Sequence, residues 1–93
     1  MYAMLVTVTL DAARADEADK QLHEVTVPAV KSQDGFVRGI WIRDPDKSRG
    51  RGVVVFESEQ HATAAAELVR QQPATGGPVT VDSVEILEVA AEA

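Results

Sequence analysis

The sequence predicts an α+β fold in which a four-stranded antiparallel sheet carries two helices on one of its faces. Three observations lead to this prediction. Two segments have the period of an amphipathic helix, four segments are short and rich in β-branched residues, and their order is β-α-β-β-α-β. Two β-α-β units with right-handed connections produce such a sheet, which is the ferredoxin-like arrangement.

The first strand and the first helix come from the N-terminal third of the chain. Residues 2–10 are β-branched and alternate in polarity, which indicates a strand with one strongly apolar face. Apolar side chains at spacings of three and four then predict a helix over residues 14–32. Gly35 follows as a helix stop. Pro28 should kink the last turns, because it removes the backbone bond to the carbonyl of Glu24.

The rest of the chain predicts a hairpin, a second helix and a final strand. Strands over residues 36–43 and 53–57 flank the segment DPDKSRGRG, whose Asp-Pro pair and glycines indicate a mobile turn. Ser58 caps a helix with an alanine-rich buried face, and the segment PATGGP ends it. The last strand is predicted over residues 79–89.

Composition and charge limit the classes of function. The net charge is −6, with fifteen acidic and nine basic residues, so general binding to nucleic acid is disfavoured. The chain has no cysteine, which excludes disulfides, thiolate metal sites and cysteine nucleophiles. It has neither a basic leader nor an apolar run approaching the roughly 20 residues of a membrane span. We therefore expect one cytoplasmic domain, residues 1–93, with no membrane and no nucleic-acid partner.

The strands also predict a second apolar face of the sheet, which the helices cannot cover. The segment VVV at 53–55 is apolar on both faces, and Ile40 and Ile42 alternate with Trp41. The simplest cover is another copy of the sheet, so we expect a homodimer through the sheet faces. The alternative is a monomer whose apolar face forms a ligand groove.

With these elements in this order, the chain resembles the antibiotic biosynthesis monooxygenase-like (ABM) family of the dimeric α/β-barrel superfamily. The resemblance covers nearly the whole chain. It depends on the segments DGFVRGIWIRDPD, VVVFESEQHATAAAE and VEILEV, and above all on Gly35-Phe36 and the FESEQHA start of the second helix. It implies a homodimer whose two sheets form a barrel with the helices outside, and a pocket in each subunit between the helices and the sheet.

Known members of the family include cofactor-free oxygenases of polycyclic phenols and haem-degrading enzymes. The chain departs from both patterns, because it contains no Asn. Where members often carry a histidine within the second helix, this sequence reads Ala64-Ala65-Ala66, and His61 lies a turn earlier. The resemblance therefore implies the fold more strongly than it implies these catalytic residues.

Two residues of the second predicted strand are candidates for binding a substrate. By alternation, Trp41 shares a face with Val37, Gly39 and Arg43. Its indole either lines a pocket, with Gly39 leaving room for a flat ligand, or packs in the core or the dimer interface. The second candidate is Arg38, which binds an acidic group of the substrate, reaches an edge of the sheet, or pairs with a carboxylate such as Glu57 or Glu85.

The two histidines are the other candidates. His23 lies on the first helix and is either a general base or haem ligand, or an exposed helix residue. His61 lies in the first turn of the second helix, where the dipole disfavours protonation, and it is a substrate-binding candidate or a solvated residue. No third residue completes a metal site with them by spacing, so no metal is expected.

These observations leave two main hypotheses and a weaker one. The first is a cofactor-independent ABM-like monooxygenase of a small aromatic or polycyclic molecule, with His23 as the base and with Trp41, Arg38 and His61 binding the substrate. The second is a non-enzymatic ligand-binding or accessory homodimer. Haem degradation is less favoured. The basic hairpin residues Arg43, Lys47, Arg49 and Arg51 are predicted to be a solvated, locally paired turn.

Overall fold

A computed structural model describes residues 1–71 and 77–93. The chain follows the predicted order of elements. The strands are β1 (Tyr2–Leu10), β2 (Phe36–Arg43), β3 (Arg49–Phe56) and β4 (Val79–Glu88), and the helices are α1 (Ala15–Gln21), α2 (Val27–Lys31) and α3 (Glu59–Arg70). A 3-10 turn, Ala12–Arg14, precedes α1, and a π-helical turn, Leu22–Thr26, joins α1 to α2. The predicted break PATGGP and the end of the second predicted helix lie mostly outside the described residues.

The four strands form one antiparallel sheet in the order β2-β3-β1-β4. The two strands that are neighbours in sequence, β2 and β3, pair as a hairpin, while β1 lies between β3 and β4. This is the topology that two β-α-β units produce. The predicted α+β, ferredoxin-like fold is therefore confirmed.

The first helical segment continues from α1 to α2 through the π-helical turn. The N–H of Val27 donates to the carbonyl of Leu22, five residues back, instead of four. Pro28 follows at once; it has no N–H, and its ring crowds the carbonyl of Glu24, which lies in the π turn. The irregularity predicted at Pro28 is thus a single wide helical turn that immediately precedes this residue. Gly35 ends the segment with a positive φ of 78°.

The core lies between the sheet and α3. Met4, Val54 and Phe56 face the helices and are nearly fully buried. They pack against small side chains of α3, namely Ala62, Ala65 and Ala66. Because alanine adds little bulk, α3 approaches the sheet closely. Val30 of α2 and Phe36 of β2 pack against the same cluster, so both helical segments cover one face of the sheet.

The hairpin is tighter than the sequence predicted. Strand β3 begins at Arg49, four residues before the predicted start, so the connection is reduced to residues 44–48. The N–H of Asp44 donates to the carbonyl of Arg49 at 2.9 Å and closes this turn. The prediction was wrong because Gly50 and Gly52 were interpreted as turn residues. Both are buried strand residues, and larger side chains pack over them.

The other face of the sheet, here called the outer face, is not covered by any of the described helices. Strand register places Ile40 of β2 beside Val53 of β3, and Leu5 of β1 next in the same row. Ile40 and Ile42 are 58% and 51% exposed, and Leu87 of β4 is 46% exposed. The predicted second apolar face is present. Within residues 1–71 and 77–93, none of the helices is both long and apolar enough to cross a membrane.

Candidate functional site

The indole of Trp41 lies flat on the helix-covered face of the sheet. Its six-membered ring lies over Gly39. A methyl group added to this glycine would come within 2.8 Å of Cη2 of the indole. Its five-membered ring sits over Gly52, its cross-strand neighbour, where a methyl group would come within 2.9 Å of Nε1. One face of the indole is therefore closed by glycine backbone. The side chain is half-buried and packs against the core cluster between the sheet and the helices.

Strand β2 carries an irregularity that determines which residues share the Trp41 face. The register with β3 shifts between Phe36 and Arg38. Because of this shift, Phe36 packs against the core, with its ring edge-on to Phe56 at a centroid distance of 6.4 Å. The prediction that Val37 shares the Trp41 face was therefore wrong. Its side chain is 40% exposed. Gly39 and Arg43 do share the Trp41 face.

Arg38 lies on the outer face, opposite Trp41. It is the cross-strand neighbour of Val55, and its guanidinium Nε lies 3.5 Å from Oε1 of Glu92. The sequence analysis named Glu57 or Glu85 as a possible carboxylate partner of Arg38, but in the structure Arg38 pairs with Glu92. Within one subunit, Arg38 and Trp41 therefore cannot contact one face of a ligand together.

Arg43 lies on the Trp41 face and contacts the first helical segment. Its guanidinium Nη1 donates a hydrogen bond to Oδ1 of Asp19 in α1. This bond lowers the pKa of the Asp19 carboxyl, and the nearby charges of Arg43, Lys47 and His23 add to the effect. Both side chains are more than a third exposed, so the pair is a solvated ion pair at the rim of the helix–sheet layer.

His23 is exposed, and its ring turns back on its own helix. Its Nδ1 lies 2.8 Å from the carbonyl oxygen of Asp19, one turn earlier. This leaves Nε2 as the nitrogen available to other groups. His23 lies in the π turn, close to the Arg43–Asp19 pair, and not in the cavity described below.

His61 is part of the cap of α3. The Ser58 side chain accepts a hydrogen bond from the His61 N–H at 3.2 Å, and Ser58 Oγ also lies 2.8 Å from Nδ1 of His61. The ring packs against Gly35, where an added methyl group would clash with it. Gly35 is thus required both by its positive φ and by this contact. These contacts give His61 a structural role at the junction of β2, β3 and α3.

Tyr2 begins β1 and packs against the core cluster. The carboxylate of Glu59 and then that of Glu88 raise the pKa of its phenol. The phenol therefore stays protonated at neutral pH and does not act there as a base.

A cavity of about 60 Å³ lies between α2, α3 and the sheet. Its walls are apolar apart from Gln33, and they include Met4, Ala29, Val30, Phe56, Ala65, Leu68 and Val69. Drug-sized ligands usually occupy pockets of roughly 300–1,000 Å³. The cavity is therefore smaller than a bicyclic or polycyclic molecule requires. Among the described residues, no cluster of three or more His, Asp or Glu side chains is arranged to hold a metal ion.

The geometry defines a ferredoxin-like fold with a small cavity between its helices and its sheet. No family model matches the sequence, and no curated protein sequence matches it. Among solved structures, the haem degrader MhuD from Mycobacterium tuberculosis, with two haems bound in its active site, matches with a TM-score of 0.74 and 17% identity. That match covers 100% of this chain and 99% of MhuD.

Two further structures match over similar lengths. HapK from Hahella chejuensis has a TM-score of 0.74 and 17% identity, over 100% of this chain and 96% of HapK. The monooxygenase ActVA-Orf6 of Streptomyces coelicolor, in complex with nanaomycin D, has a TM-score of 0.63 and 16% identity, over 99% of this chain and 89% of that protein. The chain therefore shares the fold of these proteins, as the resemblance in sequence implied.

The residues present do not fit a haem. The helix–sheet cavity is about 60 Å³, far below the volume of a macrocycle. Neither histidine is among its lining residues, and Nδ1 of His61 is engaged by Ser58. We therefore derive no chemistry through haem for this chain.

Alternation placed Arg43 on the Trp41 face, because a residue two positions after Trp41 on a strand lies on the same face. The sequence analysis did not make Arg43 a binding candidate, because it assigned the residue to the solvated hairpin tip. The same rule separates Arg38 from Trp41, which lie three positions apart.

Proposed function

We propose that the chain forms a homodimer that binds a small, flat aromatic molecule on the free face of the Trp41 indole. The observation that carries this proposal is the position of the indole over Gly39 and Gly52. A tryptophan that serves only the core is usually enclosed on both faces. Here two glycines lie under one face of the ring and the side chain is only partly buried, so the proposed ligand stacks on the other face.

The proposed reaction is oxygenation of the bound aromatic molecule without a resident cofactor. Its support is the shared fold with ActVA-Orf6, a monooxygenase solved with nanaomycin D. In such a reaction O2 oxidises a phenol ring to a quinone: one oxygen atom becomes the new ring carbonyl, the other leaves as water, and the substrate supplies all four electrons. The protein orients the ring, excludes water and accepts the phenolic proton. His23 remains the proposed base, through its Nε2, because it lies on the helical segment above β2. Arg38 lies on the opposite face of the sheet and His61 is held in the α3 cap, so neither is proposed to contact a ligand on the Trp41 indole.

A second candidate function is a non-enzymatic ligand-binding or accessory dimer. The specific observation in its favour is the cavity of about 60 Å³, which has one polar residue, Gln33, in its lining. A ligand larger than this cavity has to stack at the rim beside Trp41, or the first helical segment has to move outward. The π-helical turn at Leu22–Thr26 is the part of that segment where the regular hydrogen bonding is already interrupted.

The homodimer is proposed to form through the outer face of the sheet. Half-exposed Ile40, Ile42 and Leu87 lie on this face, and no helix covers them. Burying an aliphatic side chain of this size stabilises an association by roughly 1.5–3 kcal/mol when it is fully removed from water. A second copy of the sheet offers the same surface in return, as a two-fold axis requires.

The test combines binding and turnover in one titration series. Emission from Trp41, the only tryptophan of the chain, is followed as polycyclic quinols and quinones are added, with free tryptophan as the inner-filter control. Saturable quenching supports the binding site, and oxygen uptake in the presence of the binding quinol then supports the monooxygenase. Binding without oxygen uptake favours the accessory dimer, and emission that no compound perturbs contradicts both.

A further inference from the structure

We infer that the aromatic ligand carries an anionic group, a carboxylate or phenolate at the edge of its ring, and that Arg43 binds this group beside Trp41. The inference rests on the proposed function, because it specifies the class of ligand for the same site. It adds a charge requirement and a binding residue that the fold does not imply.

The first step is the placement of the two side chains. Trp41 and Arg43 are two residues apart on β2 and lie opposite Gly52 and Gly50 of β3, so both project from the helix-covered face. Two residues of a strand span about 7 Å. The guanidinium of Arg43 therefore lies beyond one edge of the aromatic surface that Trp41 provides. A flat molecule on the indole meets Arg43 with its edge, where a ring substituent is found.

The second step is the present partner of Arg43, which is itself a carboxylate. Arg43 donates to Asp19, and both side chains are more than a third exposed. Exposed ion pairs contribute little net free energy, so a ligand carboxylate can replace Asp19 at small cost. The replacement is chemically matched, because the planar guanidinium fork binds carboxylates through two parallel hydrogen bonds.

The third step is the surrounding charge. The hydrogen bond from Arg43 lowers the pKa of the Asp19 carboxyl and the charge of Lys47 adds to this effect, so the carboxylate lies near two cationic side chains. The acids of the hairpin turn are directed elsewhere: Asp44 lies 3.8 Å from Arg51, and Asp46 accepts from Ser48 at 2.6 Å. An anion that arrives beside Arg43 therefore occupies a position where the protein already stabilises a carboxylate.

The test compares 2-naphthoate with 2-naphthamide, which have the same ring but differ in charge. The single indole N–H resonance of Trp41 is followed by NMR as each probe is added at neutral pH. We expect 2-naphthoate to bind about tenfold more tightly than the amide, as a charge-assisted pair predicts. Asp19→Asn should strengthen binding of 2-naphthoate and leave the amide unchanged, because it releases Arg43 from its ion pair.

Two variants make the test specific for Arg43. Arg43→Gln should remove the preference for 2-naphthoate, and Arg43→Lys, which retains the charge, should restore part of it. Arg51→Gln is the matched control, since Arg51 lies on the same hairpin but is the neighbour of Ile42 on the outer face. The Arg51→Gln variant should prefer 2-naphthoate over 2-naphthamide as strongly as the wild type does. The dispersion of the amide spectrum shows whether each variant is folded.

Three outcomes overturn the inference. Equal affinities of the two probes remove the charge requirement and leave the aromatic site standing. An equal loss of preference in Arg51→Gln and Arg43→Gln replaces a specific contact with a general effect of charge. A Trp41 resonance that neither probe shifts overturns the inference together with the proposed function.

Discussion

The five-membered ring of the Trp41 indole lies over Gly52, and a methyl group on that glycine would come within 2.9 Å of the indole Nε1. The two residues are cross-strand neighbours on β2 and β3. Gly52 thus sets the orientation of the largest aromatic side chain of the subunit. This relationship determines which face of the indole is closed by glycine backbone, and the ligand is proposed to bind on the other face.

Replacing Gly52 by alanine should displace the indole. The added methyl group has no space under the ring, so we expect a loss of about 1–3 kcal/mol in the free energy of unfolding, the usual cost of overpacking. Urea unfolding measures this loss, and the indole N–H resonance should shift. Gly50→Ala is the control, because its nearest side-chain neighbour is Val8 at 3.2 Å rather than the indole. Indole resonances that shift equally in both variants would contradict the assigned contact.

Replacing Ile40 by glutamate should prevent dimerisation. The side chain is 58% exposed in one subunit and lies in the apolar outer face, where a buried carboxylate without a partner is strongly disfavoured. Sedimentation velocity at micromolar concentration should give a dimer for the wild type and a monomer for Ile40→Glu. Val25→Glu, at a 61% exposed position on the helical side, should remain a dimer. A wild-type protein that is monomeric under these conditions would refute the proposed interface.

The ion pair between Asp19 and Arg43 predicts a pH dependence of stability. Arg43 holds the pKa of the Asp19 carboxyl below its unfolded value. A lowered folded-state pKa contributes stability that is fully present above the unfolded pKa, about 4, and is lost as the pH falls through the folded pKa. The Tm of the wild type should therefore exceed that of Asp19→Asn at neutral pH, and the difference should shrink as the pH falls through the folded-state pKa. A difference that stays constant over this range would mean that the carboxylate is not stabilised by Arg43.

The two histidines should differ in their effect on stability. His61→Ala removes the packing on Gly35 and the contact with Ser58, so we expect a loss of about 1–2 kcal/mol in the free energy of unfolding. His23→Ala removes an exposed ring that contacts its own helix, and its effect should lie within about 0.5 kcal/mol. Denaturant unfolding of both variants measures this difference. Equal losses would contradict the assignment of His61 to the α3 cap.

The order of the elements was predictable because each depended on a local pattern. The alternation of residues 2–10, the stripe of the first helix and the Ser58 cap all depend on neighbours within one or two turns. The hairpin was predicted less well, because Gly50 and Gly52 look like turn residues in sequence. Their role is to receive side chains from other strands, Val8 over Gly50 and Trp41 over Gly52, and such contacts are not visible locally.

The candidate site was predictable only in part. Trp41 was identified correctly as sharing a face with Gly39 and Arg43, since alternation determines the face of a strand residue. The register shift at Phe36 to Arg38, which moves Val37 off that face, leaves no signal in a single sequence. The partner of Arg38 was missed for a related reason, because Glu92 lies 54 positions away and follows the last strand.

The most direct test of the central claim is an isotope-filtered NOE experiment on labelled protein with unlabelled 2-naphthoate, which locates the bound ring. We predict NOEs between the naphthalene protons and the indole protons of Trp41. NOEs to the methyl groups of Ile40 and Leu87 on the outer face, with none to Trp41, would place the ligand on the opposite side of the sheet and contradict the proposed site.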